Sequence, residues 1–229
     1  IVYEGDLLNA ISKCISKCKS IKRFTNKISD DTSDINIHTK IDELEKHDIQ
    51  FKFKNKSYEQ TAMNITFEHA KSNSRKPRQI FYDNEILGLL PINEYSYNLI
   101  WSMPNKFFDQ VNKASSATLL EYLSDRVSFV TGDIKKTNIH TSFPLSSRHA
   151  SSYFCENNLL IGDAAHKFHP LAGLGLNMGI EDVATLSNLL SKSNNLRGTV
   201  CNFTIKRMSR IQSLQQLLDL IVIFHSSDI

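Results

Sequence analysis

The spacing of hydrophobic residues separates helical segments at both ends of the chain from strand-like segments in its middle. Over residues 3–19 apolar side chains recur three and four positions apart, which is the period of an amphipathic helix. The same period predicts a helix from Asn177 to about Ser191 and another over residues 204–225. In the helix that starts at Asn177, the pattern predicts a buried face made of Ile180, Val183, Ala184, Leu186 or Ser187, and Leu190.

Between residues 58 and 102 the pattern changes to short strands separated by turns. The predicted strands are rich in Ile, Phe, Tyr and Leu and cover residues 61–67, 78–82, 86–90 and 95–102. Such a meander predicts a mostly antiparallel sheet with one face available to a ligand. A helix over residues 106–123 is expected to cover the sheet. The overall prediction is a mixed α/β (α+β) fold.

The stretch over residues 159–182, LLIGDAAHKFHPLAGLGLNMGIED, carries the most information about function. It reads as a buried strand, a carboxylate at Asp163 where the strand ends, a turn rich in proline and glycine, and the start of a helix. Free backbone N–H groups at a helix N-terminus favour negative charge, so this order suits an anionic cofactor. The alternative is a turn whose glycines only permit a tight connection. That alternative does not require Asp163, Asn177 and Asp182 at this register.

The same residues resemble the second flavin-contacting motif of FAD-dependent aromatic hydroxylases, in the ubiquinone-biosynthesis branch of the UbiH/UbiF/VisC type. The likeness rests on Gly-Asp-Ala-Ala-His at residues 162–166, on the run from His169 to Gly179, and on Asp182. In that family the aspartate accepts a hydrogen bond from the ribityl chain, and backbone amides of the turn face the pyrimidine edge of the flavin. The resemblance implies a cofactor site formed by Gly162, Asp163, Pro170, Gly173, Leu174, Gly175, Leu176 and Asn177. Leu174 departs from the family pattern, which usually has glutamine there.

Two other motifs of this family are not found among the 229 residues. The G-x-G-x-x-G turn that holds the FAD pyrophosphate is absent, and residues 34–39 stand where an Asp-Gly motif is expected. The resemblance therefore predicts a chain that is truncated at both ends and eroded inside. It implies a partial FAD-binding domain in residues 1–55, a substrate-binding β-sheet domain in residues 56–145, and the C-terminal part of the FAD-binding domain in residues 146–229.

Composition and charge argue against several other classes of protein. A net charge of +3 is too small to indicate nucleic-acid binding. The apolar run over residues 217–224 contains Asp219 and is far shorter than the roughly 20 residues that span a bilayer, so at most peripheral membrane contact is expected. The expected location is the cytoplasm, with peripheral contact at the inner membrane as the upper limit. The cysteines at positions 14, 18, 155 and 201 lack the second close pair of a zinc site, and no metal is expected.

The resemblance also implies a reaction, although no residue is identified as catalytic. In this family FAD takes electrons from NAD(P)H and uses oxygen to hydroxylate an electron-rich phenol, while the protein supplies position and electrostatics. The implied substrate is a small prenylated aromatic molecule of ubiquinone biosynthesis, and a complex with other proteins of that pathway is a further expectation. The second hypothesis is a non-catalytic remnant that acts as a binding or scaffolding subunit. Without the two motifs that bind the adenine diphosphate, this chain alone is expected to bind FAD weakly or not at all.

Overall fold

The computed structural model describes residues 4–20, 34–41, 50–72, 75–82, 84–169 and 173–226. The chain divides into two compact units, residues 1–34 and residues 35–229. In the first unit the predicted helix over residues 3–19 is confirmed as α1, Glu4–Lys17. The cofactor-site residues predicted from the sequence all belong to the second unit, except that Pro170 lies outside the described residues.

The second unit begins with strands and ends with helices. Its elements are β1 (Asn36–His38), β2 (Phe53–His69), β3 (Arg78–Tyr82), β4 (Glu85–Asn93), β5 (Ser96–Pro104), α2 (Asn105–Asn112), α3 (Ser116–Thr131), β6 (Ile134–Ala150), β7 (Phe154–Cys155), β8 (Asn158–Leu160), a 3-10 turn (Gly162–Ala164), β9 (His166–Lys167), α4 (Leu174–Leu190) and α5 (Leu196–Ser226).

Six of the described strands form one antiparallel sheet in the order β3-β4-β5-β2-β6-β9. This confirms the predicted mixed α/β fold with a mostly antiparallel sheet. The predicted domain boundaries at residues 55/56 and 145/146 lie inside β2 and β6, which pair with each other along most of their length. The division into three domains stays a prediction.

Helices α2 and α3 pack on one face of the large sheet. Alternate residues of β2, such as Met63 and Ile65, join Trp101 and Leu123 in a fully buried cluster between the sheet and these helices. The prediction of a single helix over residues 106–123 is wrong, because the chain leaves α2 at Asn112 and starts α3 after Ser115. The Ser115 hydroxyl accepts a hydrogen bond of 3.1 Å from the Thr118 N–H, and so caps one of the free backbone N–H groups in the first turn of α3.

The remaining described strands form a small sheet in the order β1-β8-β7, in which β1 and β8 are parallel. It packs with the 3-10 turn, α4 and α5 around a second buried cluster that includes Leu159, Leu160, Leu186 and Phe203. Within the described helices, none combines the length and hydropathy that a bilayer crossing requires.

The buried face of α4 agrees with the predicted one at Leu186 and differs from it at Ile180, Val183, Ala184 and Leu190, which are exposed. Ile180 and Val183 are 53% and 54% exposed, whereas Met178, Asp182 and Leu186 are buried. The Met178–Asp182–Leu186 side faces inward, where Asp182 bonds to the Gly162 N–H and to Arg207, and Gly179 lies beside Gly162 of the 3-10 turn. The hydrophobic pattern alone did not predict this rotation, because the inward side includes a charged residue.

Candidate cofactor site

The small sheet positions Asp163. All three residues of β8 are buried, and after Ile161 the chain enters the 3-10 turn at Gly162, whose φ of 56° lies in the left-handed region. Asp163 follows on the surface and forms no salt bridge with a described residue. Its backbone carbonyl accepts a hydrogen bond from Arg148 Nη2 at 3.0 Å. Asp163 thus lies just beyond the end of a buried strand, as the order of residues 159–163 predicts.

The N-terminus of α4 is open. Gly173 precedes the helix with a φ of 58°, no side chain caps the first turn, and that turn contains no acidic residue. A Cβ built at Gly173 or Gly175 would find nothing within 4 Å. Leu176 and Asn177 are exposed, Leu176 to 67%. No described side chain caps this N-terminus, which carries the partial positive charge of the helix, and Leu174, Gly175 and Leu176 form its first turn.

A buried carboxylate ties these two parts of the site together. Asp182 is 0% exposed. Its Oδ2 accepts hydrogen bonds from the Gly162 backbone N–H at 2.8 Å and from His166 Nε2 at 2.7 Å, and its Oδ1 accepts one from Arg207 Nε at 2.6 Å. These four residues are called the Asp182 network below. Through them the 3-10 turn, β9, α4 and α5 meet at one side chain.

Arg207 strengthens the connection between α4 and α5. It is 3% exposed, donates from Nη2 to the carbonyl of Met178 at 3.2 Å, and pairs through Nη1 with Glu181 at 2.9 Å. Burial by itself would raise the pKa of the Asp182 carboxyl, but His166, the Gly162 amide and Arg207 together hold that pKa below its usual value. Asp182 is thus ionised at neutral pH and neutralises the buried Arg207.

Sequence analysis did not identify the Asp182 network. Asp182 belonged to the recognised motif. Its partner Arg207 lies 25 residues later on another helix, and no spacing in the sequence predicts that the two residues pair. His166 ends the Gly-Asp-Ala-Ala-His motif, but no role in binding Asp182 was predicted for it. Among the described residues, no three His, Cys, Asp or Glu side chains come together as metal ligands would.

The structure also brings the start of the large sheet to the glycine-rich turn. The rings of Tyr58 and His169 meet edge to face with centroids 4.8 Å apart, and His169 Nε2 lies 3.4 Å from Gln60 Oε1. Burial lowers the pKa of His169 to about 4, so its imidazole is neutral near pH 7. Tyr58 donates a hydrogen bond to Asp219 Oδ1 at 2.5 Å, and burial and this bond raise its pKa. Two segments separated by more than 100 residues therefore meet just before Pro170.

The face of the large sheet opposite α2 and α3 combines apolar and polar side chains. Asn64 alternates with the buried Met63 and Ile65, and its register partners are Ile100 on β5 and Thr141 on β6. Gly88 on β4 pairs with Ile100 and leaves space on this face, because a Cβ there would meet only the Ile100 carbonyl at 3.8 Å. The side-chain oxygen of Asn64 is buried and has no hydrogen-bond partner among the described residues.

Comparison with known proteins assigns this geometry to a family. Residues 44–201 match the FAD binding domain family. The ubiquinone biosynthesis monooxygenase COQ6 of Xenopus tropicalis is 32% identical over 148 residues, which cover 50% of this chain and 32% of that protein. The ubiquinone hydroxylase UbiL of Rhodospirillum rubrum is 28% identical over 139 residues, covering 61% of this chain and 32% of UbiL. The chain thus spans about a third of the length of these curated relatives.

A solved structure shares the fold. PqsL of Pseudomonas aeruginosa, in complex with 2-aminobenzoylacetate, superposes with a TM-score of 0.66 at 17% identity, over 84% of this chain and 56% of PqsL. These likenesses confirm the resemblance that residues 159–182 predicted. Since the family match extends over well more than half of its residues, this chain belongs to the FAD binding domain family.

Proposed function

We propose that this chain provides the ribityl-contacting and ring-contacting part of an FAD site in a monooxygenase that hydroxylates a prenylated phenol of ubiquinone biosynthesis, with NAD(P)H as reductant. The observation that carries the proposal is the joint placement of Asp163 and the open α4 N-terminus by the Asp182 network. The family membership and the COQ6 and UbiL relatives support the cofactor and the reaction class.

The described residues fit a flavin. The flavin would be held by two segments, the 3-10 turn and the start of α4. The described residues of these segments are Gly162, Asp163, Gly173, Leu174, Gly175, Leu176 and Asn177, and Pro170 lies outside the described residues. When bound, FAD supplies the electron transfer and the activation of oxygen. The α4 N-terminus would stabilise negative charge by roughly 0.3–2 kcal/mol, because no acidic side chain already occupies it. The exposed Asp163 carboxylate is an acceptor for a hydroxyl donor.

The open face of the large sheet suits the proposed substrate. The partly exposed Ile100 on β5 offers apolar contact, and Asn64 Oδ1 beside it, which has no hydrogen-bond partner among the described residues, would accept a hydrogen bond from a phenolic hydroxyl. Two structural neighbours are complexes with ring compounds, PqsL with 2-aminobenzoylacetate and HpxO of Klebsiella pneumoniae with uric acid. The prenyl chain, a complex with other proteins of the pathway and peripheral contact with the inner membrane extend this proposal. The three-domain division and the non-catalytic alternative stay predictions.

Flavin titration tests the proposal. Riboflavin and FAD are titrated separately into the purified chain, and quenching of flavin fluorescence is recorded. The chain should bind both with similar affinity, because residues 159–182 contact the ring and ribityl parts that the two share. Asp163→Ala should weaken binding by about 1.5–3 kcal/mol, the range for a hydrogen bond to a charged group. Gly175→Val should abolish it, because a branched side chain would fill the space at the helix start.

Asp109→Ala, on the exposed surface of α2, is the matched control and should leave both affinities unchanged. Absence of riboflavin binding at millimolar concentration would contradict the proposed site. A strong preference for FAD would show that other residues of the chain hold the adenine half.

A further inference from the structure

A polar cleft of about 320 Å³ separates α5 from the paired ends of β2 and β6. Helices that pack on a sheet usually turn an apolar stripe toward it. Here the side of α5 that lines the cleft carries Gln212, Gln215, Gln216 and Asp219, spaced so that all four share one helix face. Gln215 and Asp219 bond to the strands, whereas the side chains of Gln212 and Gln216 remain as groups that can bind a polar molecule.

The facing strands add two lysines, one of which is already neutralised. Lys56 Nζ pairs with Asp219 Oδ2 at 3.0 Å, and Tyr58 donates to Asp219 Oδ1 at 2.5 Å. Both oxygens of the only acidic group lining the cleft within the described residues are therefore occupied. The ammonium group of Lys54 forms no ion pair or hydrogen bond with a described residue, so the cleft retains one positive charge.

A buried imidazole forms part of the lining beside Lys54. His149 is 7% exposed and is the register partner of Lys54. Its Nδ1 lies 3.4 Å from the Tyr153 hydroxyl, whereas its Nε2 has no hydrogen-bond partner among the described residues. Buried polar atoms are nearly always paired in folded proteins, so an unpaired nitrogen here points to a ligand or water at this cleft.

We propose that this cleft binds a small oxyanion, a carboxylate or a phosphate, held by the Lys54 ammonium and the side-chain amides of Gln212 and Gln216. Neither glutamine side chain bonds to another described residue, and each offers two N–H donors. A charged donor together with amide donors is the set that proteins use for carboxylates and phosphates. The Lys56–Asp219 pair closes one side of the cleft and keeps the aspartate from repelling the anion.

The test is a titration of the full chain with inorganic phosphate and, separately, with acetate, at ionic strength kept constant with chloride. The imidazole proton resonances of His149, assigned through His149→Gln, report occupancy of the cleft. We expect a saturable shift with at least one of the two anions. Lys54→Gln should weaken that binding at least about tenfold, since it removes the charged donor. Gln212→Leu should weaken it by a smaller factor.

Lys106→Gln removes an equal charge from the exposed surface of α2, away from the cleft, and should change the dissociation constant less than twofold. A phosphate preference would identify a phosphorylated ligand, and an acetate preference a carboxylic acid. The proposal is overturned if neither anion gives a saturable shift at His149, or if Lys54→Gln and Lys106→Gln weaken binding equally.

Discussion

Removal of the Asp182 charge is the most direct test of how the cofactor site is held together. In Asp182→Asn the side chain keeps its shape, but one acceptor oxygen becomes an NH2 group. If that group replaces Oδ2, it faces the Gly162 N–H, which then loses its side-chain acceptor. If it replaces Oδ1, it faces the Arg207 guanidinium. Either orientation leaves the 3% exposed Arg207 with only the partly exposed Glu181 as a charged partner.

The size of the effect follows from burial. Removing one partner of a buried ion pair usually costs about 3–5 kcal/mol, because the other charge stays buried without compensation. A protein of this size has a total unfolding free energy of about 5–15 kcal/mol. Asp182→Asn should therefore remove about 3–5 kcal/mol and a large fraction of the stability. The double variant Asp182→Asn/Arg207→Gln should cost less than the sum of the two single changes, since it also removes the uncompensated charge.

Urea unfolding at pH 7, followed by circular dichroism, measures these differences. Glu181→Gln is the control. The Glu181 side chain is 41% exposed, so loss of its pair with the same Arg207 should lower the unfolding free energy by less than about 1 kcal/mol. Because the folded-state pKa of Asp182 lies below its usual value, its contribution is present above about pH 4 and is lost as the pH falls through the folded-state pKa. A loss below 1 kcal/mol for Asp182→Asn at pH 7, equal to that of Glu181→Gln, would refute the buried network.

Three further predictions concern acid stability, the glycine contact and the large sheet. Burial lowers the folded-state pKa of His149 and His169 to about 4, so the unfolded chain binds more protons between about pH 6.5 and 4, and the unfolding free energy should fall over that range by up to about 3 kcal/mol per ring. Gly162→Ala should destabilise the fold by about 1–2 kcal/mol, because the φ of 56° at Gly162 lies in the left-handed region. Gly179→Ala, within a helix, should be neutral or stabilising by up to about 1 kcal/mol, because the new Cβ would meet Gly162 at an ordinary contact distance of 3.7 Å. Arg126 donates two hydrogen bonds of 2.7 Å to the carboxylate of Glu85, which is 5% exposed. Arg126→Met should therefore lower the unfolding free energy by about 3–5 kcal/mol, because the buried Glu85 loses its charged partner.

Each of these has a control in the same urea assay. His169→Gln cannot protonate, so it should flatten the acid dependence, and an unchanged slope would disprove the role of that ring. Equal effects of alanine at Gly162 and Gly179 would rule out the left-handed turn as the cause. Arg75→Met, at an exposed pair with Glu94 4.0 Å away, should cost under about 1 kcal/mol, and a loss as large as that of Arg126→Met would argue against burial as the reason.

The local pattern of the sequence was sufficient for the central strands and for the backbone on either side of the site. The runs over residues 61–67 and 86–90, rich in β-branched, aromatic and leucine side chains and bounded by turn residues, predict strands, and they lie inside β2 and β4. The order strand, Asp163, glycine-rich turn and helix predicts the backbone path, because glycine permits the left-handed φ that Gly162 and Gly173 adopt. These features depend on residues close in the chain.

Tertiary structure alone decided which side of each element faces the site and which distant groups meet there. Hydrophobicity predicted that α4 buries Ile180 and Val183, but both are exposed, and Asp182 faces inward instead, where the Gly162 N–H and Arg207 bond to it. Arg207 becomes the partner of Asp182 only because α5 folds back on α4, and no periodicity within either helix encodes that pairing. Likewise, the polar face of α5 forms part of a cleft only because the fold brings the lysines of β2 opposite it. Local propensity acts over a few residues, whereas neutralisation of a buried charge depends on which groups the packed fold brings within about 3 Å of it.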